Sequence, residues 1–278
     1  MTNSPSTDGL EQTFVTRGDG SGVPLVLLHG FTGHRDDFNG VCDALGKHRR
    51  VIVPDLRGHG ARGDAADPSE YSFSACVSDL VALLDGLGIE RCDLLGHSMG
   101  GMIALRVALE HARRVRSLVL MSTTPRPLSE ETAVALLRAV AFLERSDLVS
   151  MQAAMEKVGR AEPDPVIASW ADRYWSHQRR RYAEMDPAAY VGFARAMIEP
   201  VSLTEDLGKV RCPVLVLVGS EDADFLPGAD LLEAGIPGAE RLTLEGAGHH
   251  PHEERREDFL RAMDQHLGSV GTGDDRPA

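Results

Sequence analysis

Leu94-Leu95-Gly96-His97-Ser98-Met99-Gly100-Gly101 is the stretch on which the reading of this 278-residue chain turns. An apolar run, Cys92 to Leu95, enters a glycine-flanked serine, and a helix-forming segment (Met102, Ile103, Ala104, Leu105, Val107, Ala108, Leu109) leaves it. Gly-x-Ser-x-Gly between a strand and a helix makes a turn so sharp that its central residue is strained. Gly96 and Gly100 suit such a turn because a Cβ at either position would collide with neighbouring chain. The strain holds the Ser98 hydroxyl in the open, and the helix that follows aims its first N–H groups towards it.

Outward from this turn, apolar runs alternate with helical patterns. Thr13–Thr16 reads as a first strand, Gly18 to Gly22 as a turn, and Pro24–His29 as a buried parallel strand ending in Gly30-Phe31-Thr32-Gly33. A helix around Phe38–Leu45 and a strand at Val51–Val53 follow, then Pro54-Asp55-Leu56-Arg57-Gly58-His59-Gly60 and a helix over Phe73–Leu87. After the turn at Ser98 and its helix comes a strand at Val115–Met121. Such alternation predicts an α/β fold with a doubly wound, mostly parallel sheet. The next strand, Val214–Val218, is delayed roughly three times the ~30 residues that one βαβ unit needs. The interval carries helical patterns at Glu130–Glu144, Leu148–Val158, Val166–His177 and Ala188–Ile198, so residues 126–203 are expected to form a helical insertion over the carboxyl edge of the sheet. A helix near Ala229–Ala234, a strand Arg241–Leu244 and a helix Arg256–Leu267 complete the pattern. The expected organisation is a core of residues 1–125 and 204–267, an insertion of residues 126–203, and a disordered tail from Gly268 to Ala278.

Chemistry in an open α/β sheet sits beyond the carboxyl ends of its strands, so each strand is judged by what it delivers there. A serine needs a base, and the base needs an orienting acceptor. The last strand ends in Glu245-Gly246-Ala247-Gly248-His249-His250-Pro251-His252, where His249 is the candidate base and His250 and His252 are rivals. The three histidines lack the helical i, i+4 spacing of a metal site. The strand Val214–Val218 ends in Gly219-Ser220-Glu221-Asp222-Ala223-Asp224, which offers Asp222 as the acid, with Asp224 and then Glu221 as alternatives. The strand ending in Met121-Ser122-Thr123-Thr124 offers no carboxylate. Oxyanion donors are expected from the N–H groups of Met99 and Phe31, with His29 bracing the Phe31 loop. Phe142, Trp170, Tyr174 and Trp175 are candidates for an apolar substrate pocket or for packing within the insertion. Arg57 and the run Arg179-Arg180-Arg181 are candidate anion contacts, although a charge run is usually a solvated face.

The formal net charge of −13 argues against nucleic acid or an anionic membrane as partner. Met1 to Gln12 lacks the basic start and apolar centre of a signal peptide, and no apolar run approaches the ~20 residues that span a bilayer. Cys42, Cys76, Cys92 and Cys212 are far apart without a Cys-x-x-Cys pair, which fits reduced thiols in a cytoplasmic protein.

Together these segments resemble the α/β-hydrolase fold superfamily over nearly the whole chain. The resemblance rests on His29–Gly33, Asp55–Gly60, Gly96–Gly101, Gly219–Asp222 and Gly246–His249, in the chain order Ser, Asp, His that this family uses. It implies that the insertion is a cap or lid and that Asp55–Gly60 shapes the site. The serine common in the family shortly after that loop is Gly63 here. The implied reaction is hydrolysis of a small-molecule ester or lactone through an acyl group on Ser98, with no metal or organic cofactor. Carbon–carbon bond hydrolases and related lyases share the same triad, and a ligand receptor on the same fold is an alternative of another kind. Haloalkane dehalogenases and epoxide hydrolases resemble the chain but place aspartate where Ser98 stands.

Overall fold

The register of the strands is what brings the candidate residues to one rim. The computed structural model describes residues 13–62, 67–199 and 201–270. In chain order the elements are β1 (Phe14–Leu28), α1 (Asn39–Leu45), β2 (Arg49–Pro54), α2 (Phe73–Gly86), β3 (Cys92–His97), α3 (Met99–Glu110) and β4 (Val115–Met121). Then come α4 (Glu130–Leu143), α5 (Leu148–Ala161), α6 (Ala171–Ala183), α7 (Pro187–Ile198), β5 (Val214–Gly219), α8 (Leu226–Gly235), β6 (Glu240–Leu244), α9 (Pro251–Glu254) and α10 (Arg256–Ser269). The sheet runs β2-β1-β3-β4-β5-β6, and every pairing from β1 through β6 is parallel. Leu28 lies opposite Gly96, His97 opposite Met121, and Gly219 opposite Leu244. The strands therefore finish level, and the loops that follow them emerge side by side.

The two strands expected at Thr13–Thr16 and Pro24–His29 are arms of one bent strand. Along the first arm the pairing with β2 descends, from Phe14 opposite Pro54 to Arg17 opposite Val51. Along the second the numbers rise together, Leu25 opposite Val51 and Val26 opposite Ile52, so β2 is flanked on both sides. The bend falls in the glycine-rich stretch, where Gly18 has φ +72° and a Cβ on it would lie 2.3 Å from the Gly46 carbonyl oxygen. Glycine is required at that approach.

Alternate side chains of each strand enter opposite layers, the period-2 consequence of the pleat. Leu94, Leu118, Leu120, Val214, Val216 and Val218 face one core, which α2, α3, α8 and the insertion cover. Leu95, Val119, Met121, Leu215 and Leu217 face the other, under α1 and α10. Inside this apolar frame β3 also carries a charge. Asp93 is fully buried and accepts two bonds from Arg116 (2.8 and 2.6 Å), one from Ser117 Oγ (2.7 Å) and one from Arg49 (3.1 Å).

Between β4 and β5 the chain makes α4 to α7. The two ends of this excursion are stitched together, Leu203 N–H donating to Pro125 O (2.7 Å) and Leu128 N–H to Met197 O (3.1 Å). Side chains of Ser129, Asp147 and Asp186 cap α4, α5 and α7, satisfying N–H groups that a helix start leaves free. The helix expected over 166–177 starts later, because Asp164 takes the Val166 N–H (2.8 Å) and a 3₁₀ turn at Ala168–Trp170 precedes α6. At the other end α10 continues through Gly268 and Ser269, residues expected in the tail, while residues 271–278 and Gly63 lie outside the described residues. Among the described residues no helix is long and apolar enough to cross a membrane.

Candidate active site

At the turn between β3 and α3, Ser98 has φ +53° and ψ −118°, a region that costs a non-glycine residue of order 1–3 kcal/mol. The surroundings hold it there. Ser98 N–H donates to Met121 O (2.9 Å), and Ser98 O accepts from Thr123 Oγ1 (2.7 Å) and Gly101 N–H (2.9 Å). A Cβ on Gly96 would stand 2.2 Å from Gly100 O, and one on Gly100 2.4 Å from Leu28 O. Both glycines are therefore demanded by close packing of backbone.

Beside it, the turn after β5 and the loop after β6 meet. Glu221 N–H donates to Ala247 O (2.8 Å), which locks the two loops together. His249 Nδ1 lies 3.2 and 3.1 Å from the two Asp222 oxygens, so Nδ1–H is the donor and Nε2 is free to act as acceptor. Asp222 is buried, whereas the alternatives Glu221 and Asp224 are exposed. The Phe225 ring lies 4.6 Å from the imidazole, centroid to centroid. His97 Nε2–H, from the residue before Ser98, donates to His249 O (2.7 Å), and the two rings are 4.9 Å apart. Among the described residues neither Ser98 Oγ nor His249 Nε2 is hydrogen-bonded to a neighbour. Glu254, which the sequence reading passed over, grips the loop on both sides of His249: Gly248 N–H donates to Oε2 (2.6 Å) and His250 N–H to Oε1 (3.3 Å).

The rival histidines are held neutral. Burial, and then the neighbouring His249, pushes His250 well below the ordinary imidazole value, and burial lowers His252 to about 4. His252 packs on Phe38, with ring centroids 4.9 Å apart. Among the described residues no three His, Cys, Asp or Glu side chains are grouped to hold a metal ion. Burial likewise keeps Cys76 and Cys92 as thiols, each pushed up to about 12.

The loop after β1 closes the site from the other side. A Cβ on Gly30 would be 3.2 Å from Ser98 Cβ, so the Gly30-Phe31 backbone lies against the serine. His29 is fully buried: its Nε2 accepts from Leu56 N–H (3.0 Å), which makes Nδ1–H the donor to Gly30 O (2.9 Å). That is the bracing role expected of it. The Phe31 ring packs on Tyr190 at 4.7 Å, and Tyr190 lies 6.5 Å from Tyr182. Tyr182 and Tyr190 went unnoticed in the sequence because only the crossing of α6 and α7 over the loop brings them there.

The other candidates are dispersed. Trp170, Tyr174 and Trp175 form an edge-to-face row with centroids 5.5 and 4.9 Å apart. Trp175 is buried over Gly159, as packing within the insertion. Trp170 and Tyr174 border a cavity of about 220 Å³ whose other walls include Asp37, His177, His252 and Glu253, so charged and polar side chains share its lining with the aromatic rings. Phe142 is 42% exposed on the last turn of α4. Arg57 is turned to α2: Nε and Nη2 each donate to an Asp79 oxygen at 2.8 Å, and Nη1 donates to Glu70 O. A bidentate pair of this kind occupies the fork that would receive an anion. Of the basic run, Arg179 pairs with Glu156 and Arg180 with Asp36 and Glu184, while Arg181 is buried.

The family model of the alpha/beta hydrolase fold matches residues 23–256. The chain belongs to this family. It is 33% identical to a fluoroacetate dehalogenase of a Burkholderia species, across 96% of each chain. It is 29% identical to a pimeloyl-[acyl-carrier protein] methyl ester esterase of Chromobacterium violaceum, over 89% of this chain and 95% of that one. Among solved structures, a thermophilic esterase from Thermogutta terrifontis superposes with a TM-score of 0.80 at 29% identity, covering 92% of this chain and 93% of that one. This alpha/beta hydrolase is accordingly a hydrolytic enzyme, with Ser98 on its elbow.

Proposed function

We propose that this hydrolase cleaves a small-molecule carboxylic ester or lactone through an acyl-enzyme on Ser98. The observation that carries the proposal is the His249 Nδ1 pair with both Asp222 oxygens, on the same rim as a serine at φ +53°. His249 Nε2 takes the Ser98 proton as Oγ attacks the carbonyl carbon, and Asp222 stabilises the imidazolium that forms. The oxyanion is received by the N–H groups of Phe31 and Met99, each such donor being worth roughly 10²–10³ in rate. As the tetrahedral intermediate collapses, His249 returns the proton to the leaving oxygen. Water, deprotonated by the same nitrogen, then releases the acid.

The identity of the nucleophile separates this reading from the activity named for the dehalogenase relative. A serine that displaced a halide would be left as an ether, with no carbonyl for water to attack. An acyl group on serine is an ester and turns over. Residues 126–203 act in this reading as a cap, whose Tyr182 and Tyr190 join Phe31 of the loop after β1 as apolar contacts to the substrate. None of the four cysteines is in a disulfide, which fits a cytoplasmic setting.

A fluorophosphonate probe tests the core of this reading. It should label the wild type and leave Ser98→Ala unlabelled, and p-nitrophenyl acetate should give a burst of nitrophenol in the wild type only. Full turnover by Ser98→Ala would remove Ser98 from the chemistry.

A further inference from the structure

Arg181 lies on α6, in the insertion, yet it is only 5% exposed. Its Nε–H donates to the carbonyl oxygen of Thr32 (2.8 Å), and its Nη2 stands 3.3 Å from Asp37 Oδ2. A guanidinium withdrawn from water must be compensated by bonds of this kind, and it makes them to the loop that lies against Ser98. We propose that Arg181 is a positioning residue for catalysis, holding the Gly30–Gly33 loop and so the direction of the Phe31 N–H. The inference rests on the reading of Phe31 as an oxyanion donor.

The geometry of that loop explains why it needs holding. Gly30 O and Phe31 N–H belong to one planar trans peptide, so fixing the oxygen aims the N–H the opposite way. The oxygen is fixed by His29 Nδ1–H (2.9 Å) and by Gly33 N–H (3.0 Å). The next residue, Thr32, has φ +54°, a strained conformation for a β-branched side chain, which persists only where its surroundings over-determine it. Arg181 supplies that constraint at the Thr32 carbonyl, just after the strained φ. Downstream, a Cβ on Gly33 would stand 2.6 Å from His29 Nδ1 and 2.9 Å from Asp37 Oδ2, so the turn is wedged between its brace and Asp37.

Asp37 anchors the other end of the arginine. It accepts from His34 N–H (3.1 Å) and from His177 Nε2 (2.7 Å), the latter again from α6. Burial raises its carboxyl, but Arg181 and then His177 outweigh this and hold it well below the usual carboxylate range. Arg181 and His177, both on α6, thus converge on Asp37 just beyond the Gly30–Gly33 loop. Of the companions of Arg181 in the basic run, Arg179 pairs with Glu156 and Arg180 with Asp36 and Glu184, and among the described residues neither is bonded to the Gly30–Gly33 loop.

The test uses Arg181→Met and Arg181→Lys in the full chain. Lysine keeps a charge for Asp37 but has no fork to serve Thr32 O at the same time. In both variants kcat for p-nitrophenyl acetate should fall roughly 10- to 100-fold, because the contact matters where charge develops on the oxyanion. KM should stay within about twofold. Inhibition by a trifluoromethyl ketone, which forms an oxyanion adduct with the serine, should weaken in step with kcat, a readout that a merely structural role would not move. Should Arg181→Met fail to fold, Arg181→Lys alone decides. A folded variant that keeps kcat within about twofold, or loses efficiency only through KM, overturns the inference and leaves the Ser98 reading standing. Failure of the wild type to react with fluorophosphonate overturns both.

Discussion

Acid should destabilise this protein through its buried histidines, over the range in which a histidine of the unfolded chain takes up a proton. His59 and His252 are shut away from water, and burial is the largest cause holding each at about 4. The Arg57 carbonyl partly offsets this for His59 and Asp37 partly for His252. In the unfolded chain a histidine titrates near 6.5. Between these two values the unfolded state binds a proton that the folded state refuses, so stability rises with pH across the window and falls on acidification. Lowering the pH from 8 to 5 costs about 2 kcal/mol for each such histidine. The pair alone therefore removes about 4 kcal/mol from a total that is usually 5–15 kcal/mol. His29, His97 and His250, which burial also holds well below the ordinary imidazole value, act in the same direction. Glu253 and Glu254 act against it, since burial raises their carboxyls and the folded state then takes up protons first. The decisive number is consequently a difference between variants. Urea unfolding followed by far-UV circular dichroism at pH 8 and pH 5 should show that His252→Gln loses about 2 kcal/mol less than the wild type on acidification. An identical loss in the two proteins would refute the reasoning, whatever His252→Gln does to stability at pH 8.

Two further outcomes follow from the site and from β3. Asp222→Asn should lower kcat by about 10⁴, by disturbing the tautomer of His249, whereas Asp224→Asn should stay within about tenfold; steady-state kinetics in which the ranking is reversed would make Asp224 the acid. Arg116→Met should cost roughly 3–5 kcal/mol in urea unfolding, because among the described residues it leaves the buried Asp93 with Arg49 and Ser117 as side-chain partners. A loss under about 1 kcal/mol would mean that Arg49 compensates unaided.

The fold and the elbow were legible in the chain because both depend on local order. Period-2 burial, glycines at close approaches and prolines at helix starts act over a few residues, and Ser98 with its flanking glycines is contained in one turn. His249 and Asp222 were readable for a related reason: parallel strands deliver whatever follows them to one edge, so the order of strands sufficed to nominate the loops. Choosing Asp222 over Asp224 accorded with burial, which the loop sequence itself does not display.

Contacts between segments far apart in the chain were beyond such reading. In sequence, Arg57 and Arg181 are equivalent as free cations near a site; in the fold, one pairs with Asp79 and the other reaches 149 residues back to Thr32. Nothing local in the chain marks out Glu254, yet it grips both backbone neighbours of His249. The aromatic row Trp170, Tyr174 and Trp175 is open in sequence to a substrate pocket or to packing within the insertion, and in the fold Trp175 packs over Gly159 while Trp170 and Tyr174 border a cavity shared with Asp37 and Glu253. The chain alone determined the layered sheet, the serine turn and the strand ends that converge on it, since those follow from periodicity and steric demand. Which charges are buried, which rings pack on Phe31 and what the Gly30–Gly33 loop is bonded to were decided only by tertiary packing, because desolvation and hydrogen-bond partnership belong to the assembled surroundings and not to the residue.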